Sequence, residues 1–302
     1  SAELAVLLRS IGSDDNVLQV LDASGALRWS ATLVGATPTT VAGELGLGDF
    51  NADGVTDLVL ADGRLLVYSG IDGALIRNTE FTATRFVPAG SVVHVLDVDG
   101  DGNSEVFFLG RVAGGPQIMF VLNHDGTPRW SRDFGAQYGQ PAIADLNGDG
   151  FPDVLLPRYS TQMQAFSLLD GQLLGGTTGS FETAVTPAMV GAFRQDGLPY
   201  LAVQSWGDHF GRPSGLDVFR SDFTRLYSAE RPSFDHVEEN LTLTAADLLG
   251  RGRPQVIGVS DVSAFFFWDS RQGQKLLAHP SPDTRGFGAH RYQSNISADT
   301  LQ

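Results

Sequence analysis

The chain has 302 residues, no cysteine, 42% hydrophobic residues and a formal net charge of −15 with a pI near 4.6. Without cysteine there are no disulfides and no thiolate metal sites, and the acid excess disfavours nucleic acid and anionic membranes as partners. The apolar content suffices for a large core, yet no stretch approaches the ~18–20 apolar residues of a membrane span, so no membrane insertion is expected.

No signal peptide is visible, and the start at Ser1 is what a trimmed or mature chain is expected to show. Leu4-Ala-Val-Leu-Leu8 reads as a strand. It leads into a hairpin, Leu18-Gln-Val-Leu-Asp-Ala-Ser-Gly-Ala-Leu-Arg-Trp29, in which alternating apolar residues flank an Asp/Gly turn. An acidic loop follows, Asp49-Phe-Asn-Ala-Asp-Gly-Val-Thr-Asp57, and behind it the apolar run Leu58–Leu60. The same order then repeats. A hairpin spans Leu65–Leu75, and Asp97-Val-Asp-Gly-Asp-Gly-Asn-Ser-Glu105 precedes Val106–Leu109 and a hairpin at Met119–Trp130. Asp145-Leu-Asn-Gly-Asp-Gly-Phe-Pro-Asp153 precedes Val154–Leu156 and a hairpin at Ala165–Leu173.

The three loops share the spelling D-x-[DN]-x-D-G-x-x-[DE], and their starts, residues 49, 97 and 145, lie 48 residues apart. That spelling suits a hard cation: Ca²⁺ takes about six to eight oxygen ligands from alternate side chains and a backbone carbonyl, with glycine allowing the sharp turn. The side-chain ligands carry 3, 4 and 3 negative charges, ten in all, so much of the acid excess belongs to these loops. Two altered copies continue the series. Ala192-Phe-Arg-Gln-Asp-Gly-Leu-Pro-Tyr200 has lost the first, third and ninth ligands, and Asp247-Leu-Leu-Gly-Arg-Gly-Arg-Pro-Gln255 has Arg251 in place of the central carboxylate. Neither is expected to hold calcium. Their hairpins fall at Leu216–Leu226 and Phe266–Leu276, which makes six.

A repeat array of this period reads as an all-β, six-bladed β-propeller of four-stranded antiparallel blades, rather than seven blades. The repeats fall near 49–96, 97–144, 145–191, 192–246 and 247–298, with 299–302 plus 1–48 as the sixth. Asp299 stands near the right pitch, so the terminal strands are expected to complete one blade and close the ring. The whole chain, 1–302, is then one domain.

The loops resemble the FG-GAP/VCBS repeats of integrin-α-type β-propellers. The fullest likeness is Phe134-Gly-Ala-Gln-Tyr-Gly-Gln-Pro-Ala-Ile-Ala-Asp-Leu-Asn-Gly-Asp-Gly-Phe-Pro-Asp-Val-Leu-Leu156, with its Phe-Gly, Gly-x-Pro and acidic loop in family order. The resemblance implies three Ca²⁺ sites. Their ligands would be Asp49, Asn51, Asp53 and Asp57; Asp97, Asp99, Asp101 and Glu105; and Asp145, Asn147, Asp149 and Asp153. Val55, Asn103 and Phe151 would each add a backbone carbonyl. It also implies a secreted, periplasmic or cell-surface setting and a role in adhesion or ligand binding. A lesser resemblance links Asp22–Trp29 and Asp125–Trp130 to the hairpins of quinoprotein-type propellers. It covers two of six hairpins, and a tryptophan there is read as a blade-packing residue.

In a four-stranded meander the a–b and c–d turns share one face, so the long b–c and d–a connections share the other. Long loops on a rigid scaffold carry binding residues. Arg111, Arg158, Tyr159, Trp206, His209, Arg212, His290 and Tyr292 fall on that face and suit sugar stacking, carboxylate capture or a protein hot spot. The six histidines show no H-E-x-x-H and there is no G-x-S-x-G. The balance favours a binder of protein or glycan over an enzyme. A polysaccharide lyase and a structural module of a larger surface protein are the alternatives, and the oligomeric state is not legible.

Overall fold

The computed structural model describes residues 4–9, 16–33, 45–61, 64–80, 93–111, 117–135, 141–157, 163–177, 189–195, 198–205, 215–230, 242–246, 255–259, 264–269 and 275–280. The chain divides into two compact units, Ser1–Gly135 and Ala136–Gln302.

The first unit holds three antiparallel sheets. One consists of β1 (Leu4–Arg9), β2 (Asn16–Leu21) and β3 (Leu27–Leu33). The next has β4 (Leu45–Gly48), β5 (Asp57–Ala61), β6 (Arg64–Tyr68) and β7 (Leu75–Glu80). The third has β8 (Val93–Leu96), β9 (Glu105–Arg111), β10 (Gln117–Leu122) and β11 (Pro128–Gly135). The second unit repeats the four-stranded pattern three times. Its sheets are β12 (Ala142–Ala144) to β15 (Leu173–Gly176) through β13 (Asp153–Pro157) and β14 (Met163–Ser167); β16 (Met189–Gln195) to β19 (Arg225–Glu230) through β17 (Leu198–Ser205) and β18 (Gly215–Arg220); and β20 (Thr242–Ala246) to β23 (Lys275–Pro280) through β21 (Gln255–Val259) and β22 (Ala264–Asp269). Every sheet is a meander in chain order. This is the all-β architecture of propeller blades. A fourth strand for the β1–β3 sheet was expected from 299–302, which lie outside the described residues.

The apolar runs behind the acidic loops, Leu58–Leu60, Val106–Leu109 and Val154–Leu156, are buried throughout. Along β5, Leu58 and Leu60 join a cluster with Leu18, Val20, Trp29 and Leu33 of the preceding sheet. Val59, between them, joins Val93, Val106 and Phe108 of the following one. Period-two alternation thus sends successive side chains into two different interfaces, and no polar face remains. In the second unit Leu155, Met163 and Ala165 pack with Leu201 and Phe219 in the same way.

The first strands of neighbouring sheets run side by side, β4 with β8 and β12 with β16. The approach of β4 to β8 is close: a Cβ on Gly46 would stand 2.9 Å from methyls of Val93 and Val95. Last strands pack on the neighbour's hairpin turn. Trp29 is buried, and its indole Nε1 donates to the Gly70 carbonyl at 3.1 Å in the β6–β7 turn. This bears out its reading as a packing residue. One bulge recurs between the last two described strands of all six sheets, at Val20/Leu21, Val67/Tyr68, Val121/Leu122, Ala165/Phe166, Val218/Phe219 and Phe267/Trp268.

Candidate metal centre

Each acidic loop joins the first and second strands of its sheet. Gly48 pairs with Asp57, Leu96 with Glu105 and Ala144 with Asp153. Residues 49–56, 97–104 and 145–152 are therefore equal-length insertions between paired strands. The altered copies separate here. Ala246 pairs with Gln255, so 247–254 keeps the length, whereas Gln195 pairs with Leu198 and leaves only residues 196–197 between the paired strands. A connection of that length has no room for the alternating ligands of the other loops.

The first ligand position folds the loop onto itself. Asp49 accepts from the Asp53 and Gly54 amides (3.1 and 2.8 Å), Asp97 from Gly100 and Gly102 (2.7 and 2.9 Å), and Asp145 from Gly148 and Gly150 (2.7 and 3.3 Å). To aim these amides inward, the fourth and sixth residues adopt positive φ. They are Gly100 and Gly102, Gly148 and Gly150, and in the first loop Ala52 (φ 57°) and Gly54 (φ 81°). Sequence reading found the glycine at position six. The equal demand at position four shows in the spelling Gly-Asp-Gly of two loops, and Ala52 meets it at a cost of roughly 1 kcal/mol.

The third and fifth positions interlock. Asn51 Oδ1 accepts from the Asp53 amide (3.0 Å) while its Nδ2 donates to Asp53 Oδ2 (2.9 Å). Asn147 and Asp149 repeat this at 2.9 and 2.8 Å. The fifth carboxylate accepts from the seventh amide in every loop: Val55, Asn103 and Phe151, at 2.8, 2.7 and 2.9 Å.

The ninth position closes the site from below, and it is fully buried: Asp57 0%, Glu105 1% and Asp153 0% exposed. One oxygen of each accepts from the second loop residue, Phe50, Val98 or Leu146, at 3.0, 3.0 and 2.8 Å. The longer Glu105 therefore finds the same backbone partner as the two aspartates. Desolvation raises the pKa of all three carboxyls, with the neighbouring loop carboxylates adding to it, and Asp153 is pushed up to about 6. The second oxygen distinguishes the loops. Asp57 Oδ1 accepts from the Gly70 amide at 3.1 Å, but Leu168, at the matching place, donates to the Pro152 carbonyl instead (3.2 Å). Asp153 Oδ1 is left buried without a hydrogen-bond partner.

That orphaned oxygen, and the all-oxygen donor set around it, fit a hard cation. In the second loop one oxygen each of Asp97, Asp99 and Glu105 lies within 4.8 Å of the others. Among the described residues this is the one such group of three acidic or histidine ligands, since the other two loops place an asparagine third. Bound calcium would supply charge neutralisation and a cross-link among carboxylates that otherwise repel.

Two groups near the second loop were not anticipated. Arg129 Nη1 lies 2.8 Å from Asp99 Oδ2, and His124 Nδ1 lies 4.0 Å from Glu105 Oε1. Arg129 sits inside the Pro-Arg-Trp stretch that was read for its tryptophan alone. Of the ligand-face candidates, Arg111 ends β9, at the opposite end of that strand from Glu105. Arg158, Tyr159, Trp206, His209, Arg212, His290 and Tyr292 lie outside the described residues.

A family model described as an FG-GAP-like repeat matches residues 97–156, from the second acidic loop through the third. A comparison with curated proteins returns no match. Among solved structures the chain is similar to BamB from Moraxella catarrhalis, at 16% identity and a TM-score of 0.54 over 92% of this chain and 75% of that one. It is also similar to the WD40 domain of Toxoplasma gondii coronin, at 12% identity and a TM-score of 0.56 over 92% and 68%. A third is the quinohemoprotein alcohol dehydrogenase ADHIIG from Pseudomonas putida HK5, at 12% and 0.57 over 88% and 57%. Identities this low speak to fold and to nothing finer. An FG-GAP-like repeat match at residues 97–156 thus lies on a chain whose fold is that of a β-propeller.

Proposed function

We propose that this chain is a calcium-stabilised binding propeller of the cell exterior or periplasm, which takes a protein or glycan ligand on the face opposite its acidic loops. The observation that carries the calcium assignment is the ninth-position carboxylate. A buried acid with one oxygen tied to backbone, and in Asp153 the other oxygen orphaned, is a costly arrangement unless a cation completes it. All three loops fit, through the residues at positions one, three, five and nine. Ligand affinities of about 10⁻⁴–10⁻³ M for extracellular calcium modules would suffice outside the cytosol.

The end of the sheets that carries the loops is consolidated by its own hydrogen bonds, from Gly70 to Asp57 and from Arg129 to Asp99. That leaves the other end, where Arg111 stands and the longer connections depart, as the surface for a partner. A β-sheet scaffold with longer loops at one end suits a binding or structural module, and the arginines and aromatics proposed for those loops favour binding.

Thermal unfolding in chelator and in millimolar Ca²⁺ tests the metal. Calcium should raise Tm by several degrees, since millimolar ligand at about 1–10 times such a Kd adds roughly 0.4–1.4 kcal/mol at each of the proposed sites. An unchanged Tm in metal-free protein removes the assignment. Glycan and protein arrays probed with and without Ca²⁺ test the partner. Trp206→Ala and Arg158→Ala should each weaken capture with Tm unchanged, whereas unfolding would place those side chains in packing.

A further inference from the structure

The second acidic loop departs from the other two in the charge of one ligand position, the third, and the fold meets the departure with a cation. Its third residue is Asp99 where the others have Asn51 and Asn147, so four carboxylates, Asp97, Asp99, Asp101 and Glu105, stand where the others have three. An asparagine there both accepts from the fifth amide and donates to the fifth carboxylate. A carboxylate can reproduce only the accepting half. Asp99 Oδ1 does so, 3.3 Å from the Asp101 amide. Its Oδ2 accepts instead from Arg129 Nη1 at 2.8 Å, and the same nitrogen lies 3.4 Å from Asn123 Oδ1.

Arg129 arrives there through the recurrent bulge. Pairing passes from Leu122 with Pro128 to Val121 with Trp130, which makes Arg129 the extra residue of β11. At the same bulge β7 has Ile76 and β15 has Leu174, beside the loops that have an amide at position three. Of these three sheets, the one with the added carboxylate is the one with the arginine.

We propose that Arg129 is the charge partner of the second loop, offsetting its added carboxylate while no cation is bound. It holds Oδ2 of Asp99 so that this residue offers a single oxygen, as the asparagines do. It also returns the net charge of the loop from −4 to −3, equal to that of its neighbours. Both side chains are largely sheltered, 21% and 26% exposed, so solvent screens the pair only in part. The ligand of this site rests on the calcium assignment above, while the pairing is measurable without metal.

The test is a cycle of Arg129→Gln, Asp99→Asn and the double variant, followed by thermal unfolding in chelator and in saturating Ca²⁺. In chelator Arg129→Gln leaves four carboxylates uncompensated, and Tm should fall by about 2 °C. The double variant has the three carboxylates and one amide of the first and third loops, and it should recover most of that fall. In Ca²⁺ the fall should be smaller, because the ion neutralises the added charge. The calcium-induced shift of Arg129→Gln then exceeds that of the wild type. Equal falls in both media, with no recovery in the double variant, would overturn the proposal and reduce Arg129 to packing. If the wild type shows no calcium shift, the metal assignment fails. Recovery in chelator would then show that the charge pairing survives without a metal role.

Discussion

His94 shows how a single side chain sets a pH dependence that composition does not disclose. It lies in β8 directly across from Phe107, with ring centroids 6.0 Å apart, and its Nε2 is buried without a hydrogen-bond partner. Burial lowers its pKa from 6.5 to about 4. Between those values the unfolded chain binds the proton that the folded chain refuses, so stability falls as pH drops from about 6.5 toward 4. At pH 5 the loss relative to pH 7 should be on the order of 1–2 kcal/mol, and His94→Leu should abolish that part of it. Urea unfolding at pH 5 and 7 measures it; identical pH dependences in the two proteins would mean that the ring is solvated. The loop carboxyls act with the opposite sign in metal-free protein. Asp153, raised to about 6, favours the folded state at low pH and loses that advantage as pH climbs through 6.

Among elements, the hairpin between third and fourth strands does more than reverse the chain. Gly70 in the β6–β7 turn donates to Asp57 Oδ1, and its carbonyl receives the Trp29 indole. A Cβ at this position would run into the Thr56 carbonyl oxygen, a backbone atom that cannot swing away. Gly70→Ala should therefore displace the turn from the acidic loop and from the neighbouring sheet together. It should cost roughly 2–3 kcal/mol in urea unfolding; a loss under about 0.5 kcal/mol would mean that the turn shifts freely. The sequence announced the hairpin itself, through Ile71-Asp-Gly73 between apolar runs. It did not announce the glycine before it as a contact residue, because Thr56 and Trp29 approach only across strands. The same holds for Arg129, whose partner Asp99 is 30 residues away. Alternation and turn chemistry are local signals, while these contacts depend on register and on the recurrent bulge.

For the molecule as a whole, repetition predicts independence. Each acidic loop belongs to its own sheet, and repeat proteins accumulate stability approximately as a sum of unit and interface contributions. Asp49→Ala, Asp97→Ala and Asp145→Ala should each remove a separate part of the calcium-induced gain in Tm. Pairs of them should add to within about 0.5 kcal/mol. One single variant that removes the entire gain would restrict calcium to a single loop. Comparing the shift on adding calcium, rather than the absolute Tm, cancels the hydrogen bonds that these aspartates also accept within the loop.

By itself the sequence determined the repeat, its pitch of 48 residues, the six hairpins and the oxygen-ligand spelling of three loops, since each is written in neighbouring residues. Local backbone chemistry suffices for such features: an Asp-Gly turn or an alternating strand needs no distant partner. Tertiary structure decided the rest. It buried Asp57, Glu105 and Asp153, left one oxygen of Asp153 without a donor, and sent Leu58 and Val59 into different cores. It paired Gln195 with Leu198 within the copy at 192–200 and placed Arg129 on the one loop with an added carboxylate. Those outcomes depend on which strands pair, in which register, and on what the next sheet presses against them. Burial and charge pairing are properties of that assembly, and no single stretch of chain encodes them.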